Sequence, residues 1–238
     1  LRGNLDELRI WQTARTAEEI STTYDQPLSG GENGLLAYYR FNETGGDTVN
    51  RTASDQILGF RFDGVDDVIE VANSSTLDLT STLTVEVKFK VAEYSGYWMP
   101  MVWKGGGNGR TYSLWACAAG YLNFNSTDPV NGQTFLNTPL GSIRPGQTYH
   151  FTGVIDRTTG EMAVYLDGVK LDSRSDVPQA DAVSNTQPLL IGGTLESDPL
   201  YSNFAGFVEE VRIWNAARSE SEIQANLNAD PNDLQVES

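Results

Sequence analysis

Residues 204–227 read FAGFVEEVRIWNAARSESEIQANL, and residues 1–24 read LRGNLDELRIWQTARTAEEISTTY. Setting Gly3 against Gly206 brings Glu7 opposite Glu210, Arg9, Ile10 and Trp11 opposite Arg212, Ile213 and Trp214, and Glu19 and Ile20 opposite Glu222 and Ile223. Self-similarity about one domain length apart marks an array and locates the end of each unit. In the later copy Phe207, Val208, Val211 and Ile213 sit among Glu209, Glu210 and Arg212, the pattern of a strand with one buried face. Ser219 with Glu222, like Thr16 with Glu19, forms a capping box in which hydroxyl and carboxylate satisfy free N–H groups of a first helical turn. Ile223 and Leu227, like Ile20 and Tyr24, are four apart and share a helix face. Each copy is therefore expected to be a strand, a tight turn and a short helix whose apolar side docks on a partner. Residues 1–24 read as the C-terminal strand and helix of a preceding repeat.

Residues 25–33 (DQPLSGGEN) are a linker by composition, and a new unit is expected over residues 34–227, followed by a tail at 228–238. LLAYYRF at 35–41 reads as its opening strand, followed by short strands around Phe60 to Phe62 and Val68 to Val71. LTVEVKFKV at 83–91 alternates cleanly: Leu83, Val85, Val87, Phe89 and Val91 point to a core, and Thr84, Glu86, Lys88 and Lys90 to water. Residues 148–156 and 161–166 form a hairpin, and Asp167 with Gly168 supplies the left-handed pair of a type I′ turn into 169–171. Many short strands, glycine-rich turns and a capped helix after the last strand predict an all-β antiparallel sandwich or jelly roll. The copy at 1–24 lacks preceding strands of its own. Leu5, Leu8, Ile10 and Trp11 would then pack against the outside of the 34–227 sandwich or take the place of 208–214 in a neighbouring molecule.

A chain of 238 residues is long enough to bury most of its apolar surface without a disulfide or metal. Sixteen basic and thirty-two acidic residues give a net charge of −16, which repels nucleic acid and anionic membranes and favours divalent cations as counter-ions. The single cysteine, Cys117, can form no internal disulfide and reads as a small buried side chain. No apolar run is long enough for a membrane span. The chain begins inside a strand-like pattern and not at a methionine or signal peptide, as expected of a piece of a longer protein.

The ordered series GLLAYYRFNETGGDTV, FRFDGVDDVIEV, LTVEVKFKV, MVWKGG, TYHFTGVIDRTTGEMAVYLDGVKL, LLIGG and GFVEEVRIWNAARSESEI resembles the LamG-like, concanavalin A-like jelly roll of the bacterial laminin G/pentraxin type. The resemblance implies a concanavalin A-like sandwich over about residues 34–227. It does not by itself select a function, since this fold hosts lectins, adhesion modules, glycan-processing enzymes and inert spacers.

Glycoside hydrolysis needs two carboxylates flanking the scissile bond, and no strand here carries such an alternating pair. A lyase would need a proton-abstracting constellation, and the only histidine, His150, lies in a scaffold-like run. No enzymatic activity is expected. Asp63, Asp66 and Asp67 crowd one turn, where a Ca²⁺ ion would relieve their repulsion, although such acids also stand as solvated turn residues. The resemblance adds Glu209, the acid before the VRIW motif, as a further calcium ligand, with Asp6 its counterpart in the first copy. Sugar binding needs exposed aromatic faces beside amides or carboxylates. Tyr94, Tyr97 and Trp98 fill a Gly/Ser-containing loop, followed by Asn108, Arg110, Asn123, Asn125 and Asp128, whereas Trp103, Trp115, Trp11 and Trp214 sit in strand-like runs and read as core. The expected function is a non-catalytic recognition or adhesion module, carbohydrate-binding and calcium-stabilised, at the cell surface or outside the cell. Its partners would be a glycan or surface polysaccharide and neighbouring repeats. The alternatives are a spacer repeat without a ligand and an accessory domain of a glycan-processing enzyme.

Overall fold

The computed structural model describes residues 8–24, 26, 28, 35–39, 59–106 and 109–227, so the tail at 228–238 and most of the proposed linker lie outside the described residues. The chain divides into two compact units, Leu1–Gly59 and Phe60–Ser238.

In the first unit β1 (Leu8–Trp11) leads through a turn into α1 (Ala17–Thr23), and β1 pairs antiparallel with β2 (Leu35–Tyr39), Arg9 opposite Tyr38. The capping box of α1 forms as its sequence requires: Glu19 N–H donates to Thr16 Oγ1 at 3.2 Å, and Thr16 N–H to Glu19 Oε2 at 2.8 Å. Here the structure departs from the sequence expectation. Leu35–Tyr39 pairs with β1, in the first unit, and the sandwich sheets begin at Phe60. A single strand carries unpaired N–H and C=O groups along its edge. One edge of Leu8–Trp11 is met by Leu35–Tyr39, 24 positions downstream of Trp11.

The second unit is a sandwich of two six-stranded antiparallel sheets. Its strands are β3 (Phe60–Asp63), β4 (Ile69–Val71), β5 (Thr82–Val91), β6 (Trp98–Gly106), β7 (Gly109–Cys117) and β8 (Tyr121–Asp128). They continue as β9 (Gly132–Asn137), β10 (Thr148–Asp156), β11 (Glu161–Leu166), β12 (Val169–Arg174), β13 (Leu189–Ile191) and β14 (Ala205–Trp214), and α2 (Glu220–Asn226) follows. One sheet runs β12-β11-β10-β5-β14-β3 and the other β4-β13-β6-β7-β8-β9. Asp167 and Gly168, at φ 50° and 76°, make the tight β11–β12 turn that their sequence predicts. Among the described residues no helix is long and apolar enough to cross a membrane.

The core follows the period-two alternation of the strands. Leu83, Val85, Val87, Phe89 and Val91 of β5 face Tyr112, Leu114 and Ala116 of β7 and Leu122 and Phe124 of β8, all fully or nearly fully buried. Gly153 of β10 is needed for this approach, because a Cβ there would lie 2.5 Å from the Phe124 ring.

The opposite face of β5 is not the wet face that its sequence suggests. Thr84 and Glu86 are fully buried beneath the segment that follows β14. Thr84 Oγ1 donates to Ala216 O at 2.7 Å and accepts from Arg218 N–H at 2.9 Å, while Trp214 Nε1–H donates to Glu86 Oε1 at 2.6 Å. Lys88 and Lys90 remain partly exposed. On the same face α2 buries Ile223 completely against Val154 and Tyr165.

The two repeat copies thus differ at one matched position: Ile223 is 0% exposed and Ile20 is 54% exposed. Ile223→Ala is expected to lower unfolding stability by about 2–5 kcal/mol through the cavity it leaves. Ile20→Ala is expected to change it by no more than about 0.5 kcal/mol. Urea unfolding of the two variants checks this contrast.

Candidate functional site

Along β6 to β9 many of the residues facing away from the core are aromatic or amide-bearing. They line an open cleft of about 370 Å³ formed by Trp98, Arg110, Trp115, Tyr121, Asn123, Gln133, Phe135, Asn137 and Tyr201. Alternation puts them there: Leu122 and Phe124 of β8 point into the core, so Tyr121, Asn123 and Asn125 must point out, as Gln133, Phe135 and Asn137 do on either side of buried Leu136. The 198–202 segment closes one wall, because Trp98 N–H donates to Leu200 O at 2.9 Å and Ser202 N–H returns to Trp98 O at 3.1 Å.

The aromatic groups hold one another in place. Trp98 meets Tyr121 edge to face at 5.5 Å and Tyr97 at 5.7 Å, and Trp115 meets Tyr201 at 4.9 Å. Beneath them Trp103, Trp115 and Leu190 form a buried cluster separate from the main core. Trp103 and Trp115 are therefore buried, as their sequence suggests, but on the cleft side of the sheet.

A chain of hydrogen bonds orients the amides. Trp115 Nε1–H donates to Ser113 Oγ at 2.7 Å, and Ser113 Oγ donates to Asn125 Oδ1 at 3.0 Å. Asn125 Nδ2 then donates to Asn123 Oδ1 at 2.6 Å, and Asn123 Nδ2 to Asn137 Oδ1 at 2.8 Å. Each link fixes which way the next amide points. The chain leaves the Asn137 amide nitrogen and both polar atoms of Gln133 without a protein partner among the described residues.

Arg110 is clamped at the other side of the cleft. Its Nε and Nη2 donate to Glu196 Oε1 and Oε2 at 2.8 and 2.6 Å, and Nη2 also donates to Tyr201 Oη at 2.9 Å. Its guanidinium carbon lies 4.5 Å from the Trp115 ring centroid, and Trp103 Nε1–H donates to Glu196 Oε1 at 3.0 Å. Burial alone would raise the Glu196 carboxyl, but the hydrogen bonds from Arg110 and Trp103 outweigh it and hold the group below its ordinary value. Burial likewise opposes the charge on Arg110, and Glu196 overcomes it.

Of the residues singled out from sequence for sugar binding, Trp98 and Arg110 line the cleft and Tyr97 supports Trp98 from its rim. Asn125 is fully buried and acts behind Asn123. Tyr94 turns away, packing against the main core with its hydroxyl 3.3 Å from Ile143 O. Asn108 lies outside the described residues. Asp128 is buried, its Oδ1 accepting from Val130 and Asn131 N–H and so closing the β8–β9 turn. Trp115, Tyr121, Gln133, Phe135, Asn137 and Tyr201 were not selected by sequence reasoning. The alternation of YLNFN and of QTFLN carries a signal for four of them, Tyr121, Gln133, Phe135 and Asn137, whereas Trp115 sits in a core-like run and Tyr201 in a loop.

The metal candidates divide. Asp63, Asp66 and Asp67 are exposed and bring one carboxylate oxygen each within 4.8 Å of the others. Asp63 Oδ1 accepts from Val65 N–H at 2.8 Å, and Asp67 Oδ2 accepts from Asp63 N–H at 2.9 Å. Glu209 does not join them, being paired with Lys88 Nζ at 2.9 Å across the β14–β5 ladder. Cys117 is buried, and His150 is buried with Nε2 3.1 Å from Glu86 Oε2.

Residues 63–224 match the Laminin G type 3 sequence model, described as the concanavalin A-like lectin/glucanases superfamily. No curated protein sequence matches the chain. Among solved structures, the carbohydrate-binding module (CBM40) of the Ruminococcus gnavus IT-sialidase, bound to α2,3-sialyllactose, superposes with a TM-score of 0.57 at 14% identity over 71% of this chain and 96% of that one. The native heptameric SAP-like pentraxin of Limulus polyphemus gives 0.51 at 17% identity over 68% and 81%. A Bacteroides ovatus protein described as carbohydrate binding gives 0.56 at 18% identity over 80% of this chain and 54% of its own length. At these identities the likeness is one of fold.

A carboxyl held below its ordinary value stabilises the fold above that value, and the contribution is lost as pH falls through the lower, folded one. Glu196→Gln is therefore expected to lower the melting temperature at about pH 7, with the deficit shrinking toward about pH 3. Paired thermal melts across that range measure it.

Proposed function

The chain belongs to the laminin G-like family of the concanavalin A-like lectin/glucanases superfamily, and on that premise we propose that it is a non-catalytic carbohydrate-binding module whose glycan sits in the cleft on β6 to β9. The observation that carries this reading is the pairing of aromatic faces with fixed amides in one open cleft: Trp98, Tyr121 and Tyr201 beside Asn123, Gln133 and Asn137. Sugar rings offer C–H faces to aromatic groups and hydroxyls to planar amides, so these residue types together serve both sides of a sugar. The likeness to a sialidase carbohydrate-binding module with sialyllactose and to a carbohydrate-binding protein supports a glycan as the ligand class. Hydrolysis would use a carboxylic acid and a carboxylate across the bond, whereas the described lining supplies amides, aromatic rings and one guanidinium.

The setting we propose is an extracellular or cell-surface multidomain protein in which residues 1–24 close a preceding repeat. The exposed Ile20, matched to the fully buried Ile223, supports a neighbouring sandwich as the partner of α1. Calcium belongs to the same proposal. Three acids of one turn, Asp63, Asp66 and Asp67, have oxygens close enough to share an ion that takes six to eight oxygen ligands. They would hold it at the β3–β4 turn, and Glu209 would stay with Lys88.

Trp98→Ala is expected to weaken retention of a bound glycan by about tenfold or more, the loss of one stacking face, while Tyr94→Ala leaves retention unchanged; a glycan array followed by titration calorimetry reads both. No retained glycan on the array overturns the reading. For calcium, an ion bound only by the folded state must raise the melting temperature. The expected result is a rise on adding calcium, reversed by EDTA and absent in Asp66→Asn, and an unchanged melting temperature removes the ion.

A further inference from the structure

The charge of the cleft narrows the class of glycan, and the narrowing rests on the carbohydrate-binding reading above. Among its described lining residues Arg110 is the one charged side chain. An anionic sugar, whether a sialic acid, a uronate or a sulfated unit, is recognised through cations free to approach its acid group, most effectively by a bidentate arginine fork. Here the fork is already filled: Nε and Nη2 engage both oxygens of Glu196, and the plane of the guanidinium lies against Trp115.

Glu196 is in turn held by Trp103 and Arg110 by Tyr201, so the pair is built into the wall by two hydrogen bonds besides its own two. Its net charge is zero, and an acidic sugar drawn to Arg110 would meet the Glu196 carboxylate beside it. The surrounding field adds to this, because a chain with a net charge of −16 repels polyanions at long range. What remains for a ligand is neutral chemistry. The free amide groups of Asn137 and Gln133, and Arg110 Nη1, which has no protein partner among the described residues, suit hydroxyls.

We propose that the cleft selects neutral, hydroxyl-rich sugars and rejects acidic ones, and that the Arg110–Glu196 pair is the residue pair that sets this selectivity. Glu196 masks the one cation that could read an acid group. Arg110, its charge balanced by Glu196, then acts as a flat donor against the ring of Trp115.

The test uses the full chain on an array carrying neutral glycans beside sialylated, uronate-containing and sulfated ones, with titration of the best ligand at low salt and at about 0.5 M sodium chloride. The expected result is retention confined to neutral glycans, with affinity changing less than about twofold between the two salts. Retention of acidic glycans with affinity falling about tenfold or more at high salt overturns the selectivity while leaving the carbohydrate-binding reading in place. No retention of any glycan overturns both. Glu196→Gln, checked for folding by its thermal melt, is expected to bind an acidic glycan about tenfold or more tighter than the unaltered chain, through removal of one juxtaposed like charge. A folded Glu196→Gln with unaltered preference overturns the assigned role of the pair.

Discussion

A buried carboxylate in the middle strand of one sheet decides how the sandwich closes. Glu86 sits on β5 with no exposed surface, and an isolated charge in that position is costly enough to unfold a small domain. It is tolerated because three groups converge on it. Trp214 donates to Oε1 at 2.6 Å, His150 stands 3.1 Å from Oε2, and Arg212 lies 4.0 Å from the same oxygen. Two of the three come from the RIW motif of β14, and the third from β10 on the other side of β5. The motif that ends the domain is therefore the partner its central strand requires.

The same logic explains the shape of both repeat copies. In the second, Arg212 Nη1 reaches from the strand to Asn226 O at the end of α2, and Arg218 stacks 4.1 Å above Trp214. In the first, Arg9 reaches Thr23 O and Gln26 O at the end of α1, and Arg15 stacks 4.0 Å above Trp11. One local program of strand, stacked turn and capped helix is thus written twice and folds twice. The copies differ in what they meet: among the described residues no carboxylate stands against Trp11 as Glu86 stands against Trp214.

Much of this was legible in the sequence, for reasons that are local. Alternation in LTVEVKFKV fixed the inner face of β5, the Asp167-Gly168 pair fixed a turn, and the two Ser/Thr-x-x-Glu runs fixed the helix starts. What escaped depends on contacts between distant segments. Thr84 and Glu86 look solvent-facing until the chain returns 132 and 128 residues later to cover them. Leu35–Tyr39 reads as a sandwich strand by composition, yet its pairing partner is chosen by β1. At the cleft, Trp98 and Arg110 stood out because a loop and a glycine run set them apart. Trp115 was hidden, since Leu114 and Ala116 on either side make its strand look like core, and only knowing that they face inward shows that it faces the cleft. Glu209 falls at the β14 bulge beside Glu210, where its pairing with Lys88 is invisible in a linear reading.

The position of the cleft follows from the asymmetry between the two sheets. A sandwich has two outer faces, and here the face of β10, β5 and β14 is occupied by its own chain. Ile223 is sealed against Val154 and Tyr165, Gln224 Nε2 donates to Gly168 O at 3.1 Å, and the Glu86 group fills the space beside them. Among the described residues of this unit no helix lies over the outer face of β6 to β9. Its strands nevertheless carry tryptophan, tyrosine and phenylalanine, which would normally be buried, alongside amides held in fixed orientation by a relay that runs from Trp115 to Asn137. An uncovered sheet face made of lysine and glutamate would only be a solvated surface. One made of aromatic rings and aligned amides has desolvation still to gain and hydrogen-bonding groups already set, and that combination is what a hydroxyl-rich, partly apolar ligand requires.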